Sequence, residues 1–133
     1  MSYDQRPDDS EYNAFYGKYV GLVPDGDIIA ILATQIEDTL ALVRDVTEQQ
    51  ALHSYAPGKW TVKQVIGHIT DAERVFSYRM LRFARLDTTP LASFSENDYA
   101  ANAMSDTRPL ASLVAELSAV RRSTVALLAG LPA

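Results

Sequence analysis

The chain contains no cysteine, which excludes disulfide scaffolds, zinc ribbons, iron–sulfur clusters and thiol nucleophiles together. Histidine is almost as scarce. His53 and His68 are the only two among 133 residues, so one copy of the chain cannot build a three-histidine metal site. Cations are outnumbered, with 12 Lys and Arg against 17 Asp and Glu and a formal net charge of −5. An acidic chain lacks the electrostatic footprint of a general nucleic-acid binder, so no nucleic-acid partner is expected. No apolar run approaches the ~18–20 residues of a membrane helix, and no membrane partner is expected either. Met1–Ser10 is polar and lacks the basic-then-apolar pattern of a secretory signal, which leaves the cytoplasm as the default compartment.

What remains is an ordinary globular composition, 47% apolar and 22% charged, at a length that suits one compact domain. Met1–Ser10 reads as a mobile arm ahead of a single domain over residues 11–133. In Glu11–Val20, Tyr12, Phe15, Tyr16 and Tyr19 recur at steps of three and four. That spacing predicts a short helix whose aromatic face packs on the rest of the domain. Pro24 and Gly26 then make a loop, with Asp25 or Asp27 available to cap the next helix.

Three long amphipathic helices are expected. Helix A runs from about Asp27 to Glu48, with Ile29, Leu32, Ile36, Leu40 and Val43 on one face. Ala56-Pro57-Gly58-Lys59 reads as a type II turn. Thr61 with Gln64 has the form of a capping box, and Trp60 with Val65 that of a hydrophobic staple. Helix B should extend from that cap to about Leu86, where Thr88-Thr89-Pro90 stops it. Its apolar residues include Val65, Ile66, Ile69, Phe76 and Phe83. Phe94–Ala103 has the composition of a short helix inside a connection. Helix C opens near Asp106–Pro109 and carries Leu110, Leu113, Leu117 and Val120, with Gly130 as its cap. No segment alternates as a strand pair would, so the class is all-α. Three such helices form either a closed three-helix bundle or a four-helix bundle lacking its last helix, with an apolar groove left open.

Few residues suggest chemistry. His68 and Asp71 share one face of helix B, where an imidazole beside a carboxylate can ligate a metal or move a proton. A hydrogen-bonded flank histidine with solvated Asp71 and Glu73 is the plainer reading of that spacing. His53 reads as a surface or loop histidine. Arg74, Arg79, Arg82 and Arg85 fit cations placed near a helix C-terminus, with Asp71–Arg74 pairing, better than they fit an anion site. Zincin, nucleophile-elbow, dinucleotide and P-loop signatures are absent.

Tyr55-Ala56-Pro57-Gly58-Lys59-Trp60-Thr61, followed by Gly67-His68-Ile69-Thr70-Asp71-Ala72-Glu73-Arg74, resembles the DinB-like superfamily of small, damage-inducible, YfiT-like metalloenzymes. Val20–Pro24 with Gly26-Asp27, the run Arg82–Arg85, and Val120-Arg121-Arg122 extend the likeness over most of residues 12–131. The resemblance implies an up-down four-helix bundle with His68 as the first metal ligand, and Asp71 and Glu73 behind it. It implies two further histidines from an H-x-x-x-H motif on the last helix, around zinc or nickel, with an open position for water or substrate. Thiol S-transfer or hydrolysis of a small molecule, a low-molecular-weight thiol as cofactor, and a homodimer are its further implications. No residue here matches the H-x-x-x-H motif. The expectation is therefore a bundle represented up to its third long helix, the alternative being a short form without the metal site and with a dimerising or binding role.

Overall fold

The protein is described from a computed structural model, which covers residues 5–132. Among these the regular elements are all helical: α1 (Gly17–Val20), α2 (Ile28–Val43), α3 (Glu48–Ala51), α4 (Val62–Ala84), α5 (Glu96–Asn102) and α6 (Leu110–Ala129), with single 3₁₀ turns at Ala14–Tyr16 and Ser105–Thr107. The expected arm falls partly on Met1–Asp4, outside the described residues. Further along it, Arg6 donates to the Val23 carbonyl at 2.7 Å and pairs with Asp25 at 2.8 Å.

Local sequence sets most helix starts. Asp27 Oδ1 accepts from Ile29 N at 2.8 Å and caps α2. Thr61 and Gln64 form the expected capping box of α4, each accepting from the other's backbone N–H at 3.0 and 2.9 Å. Lys59 N donates to the Ala56 carbonyl, and Gly58 has φ +75°, as a type II turn requires. Helix A is shorter than its apolar period suggests. It ends at Val43, because Thr47 and Gln50 make a second capping box and start α3 afresh.

The end of α4 also differs from expectation. Pro90 does not stop it. Asp87 N donates to the Arg82 carbonyl and Leu86 N to that of Phe83, which is a Schellman closure with Leu86 in the left-handed position at φ 56°. That position favours glycine, and the Leu86 side chain is 89% exposed, so it offers little in return. Leu86→Gly is expected to raise the unfolding free energy by roughly 0.5–1 kcal/mol in urea titrations, with the m-value unchanged.

α6 is the central helix. Leu113 and Leu117 on α6 meet Ile36 of α2, Ala51 of α3 and Ile66 of α4 in one core. α2 runs antiparallel to α4, with Val43 beside Val62 in a shared groove and Arg121 joining Leu32 and Gln35 to Glu73. α6 runs parallel to α4, because the 85–109 connection crosses back to the start of α4. There Thr61 Oγ1 donates to Asp106 at 2.5 Å, and buried Lys63 donates to the Arg108 carbonyl at 2.7 Å. Glu48 closes the corner by pairing with Lys63 at 2.6 Å and accepting from Leu110 N at 2.7 Å. Gly67 lets the connection approach α4, since a Cβ there would overlap Ser105 Oγ.

Two apolar faces are left open. On α4, Ile66, Gly67 and Thr70 turn inward, while Val65, Ile69, Phe76 and Phe83 form a second, exposed stripe. Among the described residues this stripe has no covering element. The N-terminal aromatics do not pack as expected. Phe15, Tyr16 and Tyr19 are each more than half exposed and pack mainly on one another, because they are divided between the 3₁₀ turn Ala14–Tyr16 and the single turn of α1, neither long enough to lay a face on the bundle.

Candidate functional site

His68 lies in the second turn of α4, on the flank of the exposed stripe. Its ring is half-buried and stacks on Trp60, with centroids 4.8 Å apart and planes tilted by 44°. Trp60 is fixed in turn by the Pro57-Gly58 turn before it and the Thr61 cap after it. A local sequence device therefore braces the imidazole against the mouth of the groove. Val65 and Ile69 stand on either side, both exposed.

Asp71 is one turn further along and partly buried. Burial raises its carboxyl above the ordinary aspartate range; Arg74, His68 and Arg108 pull the other way, and Glu116 adds to the rise. The expected Asp71–Arg74 pair does not form. Arg74 reaches across to Glu116 of α6, which also takes Arg108 at 2.6 Å. An aspartate harder to ionise in the fold than in the unfolded chain costs stability once it is charged. Asp71→Asn is therefore expected to raise the thermal midpoint at pH 7, above the folded pKa. The gain should vanish near pH 3, where both states carry the proton.

The structure engages Glu73 elsewhere. Both its oxygens accept from Arg121, at 2.8 and 2.9 Å, and five residues separate it from His68, about 140° around the helix. His53 is exposed and lines the groove between α2 and α4 with Trp60. The α4 arginines are committed within the fold. Arg79 donates to the Ala92 carbonyl at 2.9 Å and lies over the Phe76 and Phe94 rings. Arg82 donates to the Thr89 carbonyl and pairs with Asp87, whose carboxyl is lowered to about 2 by bonds from Thr89 and Arg82. Arg121, visible in the sequence only within a short run, is the residue that joins all three long helices.

Among the described residues no three His, Asp or Glu side chains converge on a point that could hold a metal ion. The residues present offer a metal one braced imidazole and a nearby carboxylate. They do not fit a complete centre. Also among the described residues, no helix is long and apolar enough to cross a membrane.

No curated protein and no solved structure is significantly similar to the chain. A family model, described as the DinB superfamily, matches residues 31–133. That stretch takes in most of α2 and all of α3 to α6, with the capping box, His68 and Arg121. The all-helical fold agrees with it, and the chain belongs to the DinB superfamily.

Proposed function

We propose that His68 is one ligand of a divalent metal, zinc or nickel, in an enzyme that acts on a small molecule by thiol transfer or hydrolysis. The observation that carries this reading is the imidazole braced by Trp60 at the edge of an apolar groove, with Asp71 one turn away. The chemical class is what the resemblance to the family implies. This chain's residues do not complete the coordination, so no reaction step is assigned to the metal. Their own contributions are clearer. Trp60 orients the ring, and Asp71 holds a proton more firmly than a solvated aspartate, as a general base should. Calorimetric titration with zinc at pH 7 tests the reading. His68→Ala should weaken binding roughly tenfold or more. Equal binding by both proteins, with equal activity towards thiol substrates, would refute it.

A second reading rests on the exposed stripe of Val65, Ile69, Phe76 and Phe83. A contiguous apolar face of this kind suits a non-catalytic helical module that pairs as a homodimer. Sedimentation across a range of concentrations separates the two; a monomer throughout counts against the dimer.

A further inference from the structure

The connection between α4 and α6 is pinned to the bundle at both ends and nowhere else by polar contacts. At its start, Arg79 holds the Ala92 carbonyl at 2.9 Å and Arg82 holds that of Thr89 at 2.7 Å. At its end, Asp106 takes Thr61, the Arg108 carbonyl takes Lys63, and Ser105 is buried against Gly67. Between these clamps, every hydrogen bond made by Ser95–Ala103 among the described residues stays within that stretch. Ala100 is its one buried side chain, at 5% exposed. Tyr99 is 46% exposed and stacks on Phe94, not on α4. Met104, where the strap meets the second clamp, is exposed and left-handed at φ 53°, a conformation that favours glycine.

The clamps fix what the strap crosses. From Arg79 back to Gly67 is about 18 Å of α4, and that stretch contains Asp71 and His68. Val75 lies two turns along from His68, about 20° away around the helix, and is half-buried, whereas its neighbour Phe76 is exposed. Asn97 of α5 borders the same depression as Trp60 and Ile69, on either side of the imidazole. A seven-residue helix is also well short of the ~12–15 residues at which isolated helices become marginally stable. Lifted from α4, α5 therefore unwinds, and its closed form depends on the Ala100 contact.

We propose that α5 is a hinged strap over the His68–Asp71 flank of α4, opening as a unit while the bundle stays folded and so controlling access to the imidazole. Its use as a gate rests on the His68 reading; the opening itself does not.

The chain has no cysteine, so an introduced thiol is the only one present. Ala100→Cys places it under the strap, and Val120→Cys places it in the buried face of α6. With iodoacetamide in EDTA, Ala100→Cys should alkylate roughly tenfold or more faster, at a rate flat in urea below the unfolding transition. Val120→Cys should alkylate only as urea unfolds the whole chain. In the unsubstituted protein, amides of Ser95–Ala103 should exchange ahead of those of α4 and α6. Ala100→Gly removes the contact and weakens the helix, so diethyl pyrocarbonate should modify His68 roughly fivefold faster. Exposed His53 should react unchanged. The proposal is overturned if both thiols share one urea dependence, if α5 amides are as protected as those of α4, or if His68 reactivity does not respond. EDTA keeps metal out of every measurement, so these failures leave the His68 reading standing. Loss of that reading through zinc titration leaves the opening of α5 standing.

Discussion

Replacing Arg121 with methionine is expected to lower the unfolding free energy by about 3 kcal/mol. The guanidinium is 13% exposed and its partner Glu73 14% exposed, so neither charge is well hydrated. Nε and one terminal nitrogen donate to the two Glu73 oxygens, and the other nitrogen donates to the Leu32 carbonyl and Gln35 Oε1, both at 3.0 Å. Methionine keeps the stem's packing and removes every one of those donors. Glu73 is then left as a charge in the α4–α6 interface. Breaking such a pair is costly chiefly through the stranded partner, so Arg121→Met with Glu73→Leu should recover much of the loss. Urea unfolding of the two single variants and the double variant measures the coupling. A single-variant loss well under 1 kcal/mol would mean that solvent already screens the pair. A large loss would establish that Glu73 is occupied in joining the helices.

Leu113→Ala is the second large effect, expected to cost about 2–5 kcal/mol. Leu113 is 2% exposed and packs where α2, α3, α4 and α6 meet. Truncation removes its transfer energy and leaves a cavity that four elements would have to collapse together to fill. Phe83→Ser is the control. Phe83 is 69% exposed, and its loss should change stability by no more than about 0.5 kcal/mol. A larger change would show that the α4 stripe is covered in solution, and so would favour the dimer over the open groove.

The features legible in the sequence are those decided within four or five residues. The Thr61–Gln64 box, the Pro57-Gly58 turn, the Asp27 cap and the Gly130 terminus each need only their own neighbours. The core face of α6 is legible because one strong period governs it. Three matters are not. Helix A runs past its true end on hydrophobic spacing alone, since periodicity does not register that Thr47 offers a competing start. The Asp71–Arg74 pair is favourable on an isolated helix, yet Glu116, 42 residues beyond Arg74, offers a better-placed carboxylate once α6 docks. On α4 the apolar residues suggest one broad buried face. The structure divides them into an inner and an outer face, because Gly67 and Thr70 set the line of closest approach. The candidate site shows the same split. The bracing of His68 by Trp60 spans eight residues around one helix start, whereas the fate of Glu73 depends on Arg121, 48 residues away.

The crossover that makes α4 and α6 parallel has an electrostatic consequence. Side by side, their backbone dipoles point the same way, and both positive ends emerge at one corner of the bundle. Uncompensated, that corner would repel itself. Glu48 is the compensation, accepting from Leu110 N at the head of α6 and holding the Lys63 ammonium beside the head of α4. Its carboxyl is lowered by Lys63 and by the Leu110 backbone N–H. The stabilisation it gives is therefore complete above the ordinary glutamate range and lost as pH falls through its depressed value. Protonation of this one exposed side chain takes the carboxylate from the head of α6 and leaves the buried Lys63 ammonium with the Arg108 carbonyl alone, while Asp106 still faces the cap of α4, so acid should loosen the bundle first where α6 begins.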